Sequence, residues 1–80
     1  MDHYTELSIE ASQEIQELLV AELSELHFDN FTQEENSLMA YSLTSHYEQA
    51  KEEIHELINR YGAKLLGVKD IENNINWNQQ

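Results

Sequence analysis

The stretch from His55 to Asn59, His-Glu-Leu-Ile-Asn, comes closest in this sequence to a catalytic motif. Zinc proteases use His-Glu-x-x-His, in which two histidines one helical turn apart bind the metal and the glutamate acts as general base. Here Asn59 takes the place of the second histidine, so a zinc ion would lack a ligand. Glu52 and His55 form a single Glu-x-x-His step, whereas a di-iron bundle needs two such steps and further glutamates. We therefore interpret this segment as a solvent-exposed helix face.

Other residue types that carry chemistry are missing or badly spaced. The chain has no cysteine, which excludes a thiol nucleophile, a disulfide framework and a thiolate metal site. Its two glycines, Gly62 and Gly67, do not form a Gly-x-Gly-x-x-Gly loop that could bind a phosphate or a dinucleotide. His3, His27 and His46 do not have the sequence spacing of metal ligands. The sequence therefore predicts no catalytic, cofactor-binding or metal-binding residue in this fragment.

The charge of the chain indicates what kind of partner it can bind. The formal net charge is -12, and the four basic residues all follow residue 50: Lys51, Arg60, Lys64 and Lys69. A field of this sign repels phosphate backbones, so we expect no binding to nucleic acid. It favours encounter with a basic protein, although acidity that serves only solubility is an equally open interpretation.

Length and hydropathy limit the architecture and the location. Eighty residues make at most one small domain. The longest apolar runs, Leu18 to Ala21 and Leu38 to Tyr41, have four residues, far short of the roughly 20 that a membrane-spanning helix needs. The first residues include no basic segment followed by an apolar one, as a secretory signal would. We expect a cytoplasmic protein that does not contact the membrane.

The first half of the chain reads as a strand, a helix and a hairpin. Tyr4 to Glu10 alternates apolar and polar residues, the period of a half-buried strand. Ser12 can cap the helix that follows. The apolar stripe of this helix is predicted at Ile15, Leu18, Leu19, Leu23 and Leu26. The helix should end at His27, the chain should turn at Asn30, and Phe28 and Phe31 should clamp that turn. Thr32–Glu35, the turn Asn36-Ser37 and Leu38–Leu43 complete the hairpin.

The second half reads as a helix and a strand. Ser45 and Glu48 have the spacing of a capping box at the start of the helix. Its apolar stripe is predicted at Tyr47, Ala50, Ile54, Leu57, Ile58 and Tyr61. Gly62 is the expected C-terminal stop. Leu65 to Ile71 is the last predicted strand.

The order strand, helix, strand, strand, helix, strand predicts an α+β, ferredoxin-like βαββαβ fold. Its four-stranded antiparallel sheet carries two helices on one face. The other face is open, and Tyr4 and Glu6 point to it from the first strand. Met39 and Tyr41 join them if Leu38 and Ala40 are the buried residues of the third strand, a choice the pattern leaves open. We predict Tyr4, Glu6, Met39 and Tyr41 as the contact residues, because tyrosine combines apolar area with a polar tip.

Short motifs follow one another along nearly the whole chain. They are Tyr4-x-Glu6-Leu7-x-Ile9, Glu22-Leu23, Phe31, Glu34-Glu35, Leu38-Met39-Ala40-Tyr41 and the segment from Ile71 to Asn78, which includes Trp77. In order and spacing they resemble the N-terminal domain of the PrmA-type family, the methyltransferases of ribosomal protein L-eleven. Two features depart from that family: His27 to Phe31 replaces Gly-Phe-x-Gly-Phe, and Met39 replaces a basic residue. These departures affect the turn and the contact surface more than the fold.

The resemblance implies a division of the chain and a function. Residues 1–72 would be a ferredoxin-like substrate-recognition domain that binds a basic ribosomal protein of the large subunit for methylation of its amino groups. Residues 73–80 would begin the linker to a Rossmann-type catalytic domain that is absent here. That missing domain would bind S-adenosylmethionine, so the parent protein would be the methyltransferase, and this fragment would hold no cofactor and catalyse nothing.

Three alternatives stay open. A free-standing ferredoxin-like module, either a small-molecule regulatory domain or a protein-interaction domain, would form dimers with a ligand-lined cleft. A wholly helical interaction domain would show no sheet. An intact enzyme would bind its cofactor with these residues alone.

Overall fold

A computed structural model describes residues 3–72, which form four strands and two helices. In chain order these are β1 (His3–Glu10), α1 (Gln13–Glu25), β2 (Asn30–Gln33), β3 (Ser37–Leu43), α2 (Thr44–Arg60) and β4 (Lys64–Glu72). The predicted linker at residues 73–80 lies outside the described residues, as does Trp77 of the quoted motifs. Among residues 3–72, neither helix is long and apolar enough to cross a bilayer.

The four strands form one antiparallel sheet in the order β2-β3-β1-β4. The chain consists of two strand–helix–strand units, β1-α1-β2 and β3-α2-β4. The first strand of each unit, β1 and β3, lies at the centre of the sheet, and the second strand, β2 or β4, lies at an edge. This order, with both helices packed on one face, is the ferredoxin-like βαββαβ arrangement, and the predicted fold class is confirmed.

The core lies between the sheet and the helices. Alternate residues of β1 and β3 are buried there: Thr5, Leu7 and Ile9 on one strand, and Leu38, Ala40 and Ser42 on the other. The helices contribute Leu19, Leu23, Tyr47, Ile54, Leu57 and Ile58. The burial of Leu38 and Ala40 answers the question that the sequence pattern of β3 leaves open, and it turns Met39 and Tyr41 to the opposite face.

The first helix buries the predicted stripe with one exchange: Leu19 and Leu23 are in the core and Ile15 and Leu26 pack against it, but Gln16 takes the place of Leu18. Leu18 is 46% exposed, whereas Gln16 is fully buried. The side-chain amide of Gln16 donates from Nε2 to the carbonyl oxygens of Ala11, at 2.9 Å, and Glu34, at 2.8 Å. The amide nitrogen of this glutamine thus satisfies two backbone acceptors, just after β1 and in the hairpin, whereas its Oε1 is buried without a hydrogen-bond partner among residues 3–72.

One of the two predicted caps forms. The hydroxyl oxygen of Ser12 accepts from the backbone N–H of Ile15 at 3.4 Å, which confirms this residue as the cap of α1. The predicted capping box of α2 is wrong: the helix begins at Thr44, and its cap position is Leu43, which makes no side-chain cap hydrogen bond. The reason is that β3 runs directly into α2, so Ser45 lies inside the first turn instead of before it.

The chain reverses direction at two left-handed residues. His27 follows α1 with φ 76°, and Gly62 follows α2 with φ 74°, as expected for the residue that ends a helix. Asn30 begins β2 with an ordinary negative φ, so the predicted turn at this residue is wrong. Phe28 lies between His27 and Asn30 in the chain, and its side chain is buried in the core.

Candidate functional site

The open face of the sheet brings the four predicted contact residues together. Along β1, Tyr4 and Glu6 alternate with the buried residues and so point away from the helices. In the register of β1 with β3, Glu6 lies opposite Tyr41, and Ser8 lies opposite Met39. All of these side chains are partly exposed, and none is covered by a helix.

A hydrogen bond fixes the centre of this face. The hydroxyl of Tyr41 donates to Oε2 of Glu6 at 2.7 Å. This hydrogen bond, more than the partial burial of the ring, raises the pKa of Tyr41 above its ordinary value of 10.0. In the next cross-strand pair on the same face, the hydroxyl of Ser8 donates to Sδ of Met39 at 3.2 Å. The two contacts restrain the side chains of Tyr41 and Met39 across the β1–β3 pair.

The neighbouring strands extend the face with residues that the sequence analysis did not identify. On β4, Lys69 lies opposite Glu6, and Ile71 lies opposite Tyr4. On β2, Asn30 lies opposite Tyr41, and Thr32 lies opposite Met39. The pairing of β4 could not be read from the sequence, because an irregularity between Ser8 and Ile9 shifts its register. The open face therefore spans four strands and places Lys69 in register with the central carboxylate of Glu6.

The acidic surface is on the other side of the molecule. Eight glutamates are exposed on the helices: Glu14, Glu17, Glu22 and Glu25 on α1, and Glu48, Glu52, Glu53 and Glu56 on α2. The structure thus places eight of the 16 acidic residues on the helix layer, whereas Glu6 is the acidic residue at the centre of the open face. The physical reason is that the helices expose their polar stripes to water, whereas the open sheet face carries aromatic, apolar and small polar groups around Glu6 and Lys69.

An apolar strip lies along the edge of the sheet. Leu66 is 55% exposed and Val68 is 46% exposed, and both belong to β4. Val68 lies opposite the buried Leu7, hence on the helix side of the sheet, but the helices do not extend over it. No strand among residues 3–72 pairs with the outer edge of β4. In the sequence this segment reads as an ordinary strand, because its exposure depends on the strand order.

The segment that resembled a catalytic motif forms part of the surface of α2. His55 and Glu56 are exposed, and Nε2 of His55 lies 3.2 Å from the hydroxyl of Tyr47. Burial raises the pKa of Tyr47, with a smaller contribution from the charge of Glu48. Within residues 3–72 no group of three or more histidine, aspartate or glutamate side chains is placed to hold a metal ion.

Comparisons of the sequence with models of known protein families and with curated proteins find no match.

Proposed function

We propose that this domain recognises a basic protein through the open face of its sheet. The observation that carries the proposal is the position of Tyr4, Glu6, Met39 and Tyr41 on one partly exposed, uncovered surface. Tyrosine and methionine are enriched in protein interfaces, because they bury large areas and, in tyrosine, add a polar tip. The Tyr41–Glu6 hydrogen bond lowers the entropy cost of binding, since the ring is already held in place.

Charge has a separate role in this proposal. The helix layer carries eight of the 16 acidic residues, and the net charge of -12 attracts a basic partner from a distance. The domain measures only 19 Å along its shortest axis, about two Debye lengths at physiological salt. At that salt concentration the field of the helix layer is therefore largely screened at the sheet face, and it acts on an approaching partner mainly at low ionic strength. Steering of this kind mainly raises the association rate and weakens as salt is added.

The finer identity rests on the resemblance of the motifs to the PrmA-type family. On that basis the partner is a basic ribosomal protein of the large subunit, L-eleven, and the domain positions it for methylation of its amino groups in the cytoplasm. The cofactor, S-adenosylmethionine, would bind to the catalytic domain of the full-length chain. The acidity of the domain supports this assignment, because ribosomal proteins are usually basic.

Titration calorimetry with ribosomal protein L-eleven tests the proposal. We expect binding at about 50 mM salt and at least about tenfold weaker binding at about 500 mM salt, because the charge contribution is screened. Replacing Met39 by Ala should weaken binding, whereas replacing Leu18 by Ala should not, since this exposed apolar residue lies on α1. If L-eleven does not bind at low salt, the assignment of this partner is wrong.

A second candidate function is self-association through β4, as expected of a free-standing interaction or regulatory module. The observation that favours it is the exposed pair Leu66 and Val68 on an unpaired edge, since such edges can pair with another chain. If two copies of β4 pair antiparallel about Gly67, Leu66 lies opposite Val68, and Lys64 lies opposite Asp70. This register is complementary in both hydrophobicity and charge.

A further inference from the structure

We propose that His27 and His46 together bind one divalent transition-metal ion, such as Zn²⁺. Their rings lie next to each other, with the ring centres 4.9 Å apart and the planes inclined by 40°. Their sequence spacing does not indicate a metal site, and only the packing of the two helices makes them neighbours.

The fold brings the two rings to the same end of the helix layer. His27 is in the turn directly after α1, and His46 is in the first turn of α2. The hydroxyl of Ser42 donates to the backbone carbonyl of His27 at 3.1 Å, which ties this turn to the end of β3. Because α2 follows β3 without a loop, the same strand also fixes the position of His46.

The separation of the rings agrees with shared coordination. A zinc–nitrogen bond of about 2.1 Å places the metal about 3.2 Å from the centre of an imidazole ring. For angles of about 90° to 110° between two such ligands, the ring centres are about 4.5 to 5.2 Å apart. The observed 4.9 Å falls inside this interval, so the two rings are close enough to share one metal ion.

The backbone conformation of His27 helps to determine where its ring lies. Its φ of 76° is in the left-handed region, where glycine and asparagine are the least costly residues. Among residues 3–72 it is the one residue other than glycine with a positive φ. This conformation is common in the residue that ends a helix, and here it sets the direction of the chain where the ring of His27 lies beside that of His46.

The donor set selects the class of ion. Imidazole nitrogen suits Zn²⁺, Ni²⁺ and Cu²⁺, whereas Mg²⁺ and Ca²⁺ require oxygen ligands. Two protein ligands leave the remaining coordination positions to water. The charge of the ion is balanced by the net negative charge of the domain.

Calorimetric titration with Zn²⁺ tests the site, with Mg²⁺ present in about 100-fold excess to occupy the carboxylates. We expect one Zn²⁺ per chain. His27→Asn and His46→Asn should each weaken binding at least about tenfold, because each removes one of two ligands. Asparagine suits position 27, since it tolerates the left-handed conformation. His3→Asn and His55→Asn are the matched controls and should bind Zn²⁺ as the unchanged protein does.

The imidazole NMR signals of the unchanged protein give a readout that does not depend on the folding of any variant. Zn²⁺ should shift the signals of His27 and His46 and leave those of His3 and His55 in place. Three results would overturn the proposal: no Zn²⁺ binding, binding unchanged in both His27→Asn and His46→Asn, or binding that is lost in His55→Asn. The last result would assign the ion to the Glu52–His55 step of α2 instead.

Discussion

The hydrogen bond from Tyr41 to Glu6 is the residue-scale feature on which the proposed recognition face depends. It spans β3 and β1 at 2.7 Å, and its acceptor is a carboxylate. Replacing Tyr41 by Phe should lower the free energy of unfolding at neutral pH by about 1 kcal/mol, since a partly exposed hydrogen bond to a charged group is lost. Urea denaturation of the two proteins measures this difference.

The same substitution has a defined pH dependence. The pKa of Tyr41 is raised in the folded protein, so the folded state holds the phenolic proton more tightly than the unfolded state. The stability from this hydrogen bond is therefore complete below the ordinary pKa of 10.0 and is lost as the pH rises from there through the folded pKa. The unfolding curves of the original protein and the Tyr41→Phe variant should converge above about pH 10. A difference that stays constant to pH 11 would contradict this assignment.

Gln16 shows why some residue-scale features could not be predicted from the sequence. A period of 3.6 residues identifies the core face of α1 from apolar residues alone, and on that basis Leu18 is placed inside. Whether a glutamine replaces it depends on where the carbonyl groups of Ala11 and Glu34 lie, and these come from other elements. The cap at Ser12 was predictable, because it needs only its own helix.

At the scale of elements, the sequence predicted those features that depend only on residues within the same helix or strand. The strand β1 and the buried stripe of α2 were predicted from their periods, because one face of each is apolar. The inward face of β3 was not, because Met39 and Tyr41 are as suitable for a core as Leu38 and Ala40. The start of α2 and the register of β4 depend on how consecutive or paired elements join, which local patterns do not contain.

The exposed edge of β4 leads to an element-scale prediction. If two chains associate through this strand, Val68→Lys should shift the sedimentation coefficient of the protein from that of a dimer to that of a monomer. The reason is that the substitution places a charge opposite Leu66 in the proposed register and removes apolar contact. The matched control, Leu18→Lys, adds the same charge at an exposed apolar residue of α1 and should leave the dimer intact. If the original protein sediments as a monomer at high concentration, the self-association candidate is excluded.

At the scale of the whole molecule, the two layers of the fold carry different properties. The helix layer presents acidic side chains, and the sheet layer presents an ordered surface of aromatic, apolar and small polar groups. Composition alone shows that the chain is acidic and contains aromatic residues. It does not show that the two kinds of residue lie on different layers, because this depends on which stripe of each helix and strand faces the core. In the proposed function, the acidic layer attracts a basic partner and the sheet face makes the contact.

Mapping the contact surface by NMR tests this division most directly. Amide spectra of the ¹⁵N-labelled domain would be recorded at low salt during a titration with unlabelled ribosomal protein L-eleven. We predict that the largest shifts fall on β1 and β3, at Tyr4, Glu6, Met39 and Tyr41, and that the exposed glutamates of α1 and α2 shift little. Shifts confined to the helices would contradict the proposed recognition face, and the absence of any shift would contradict binding to this partner.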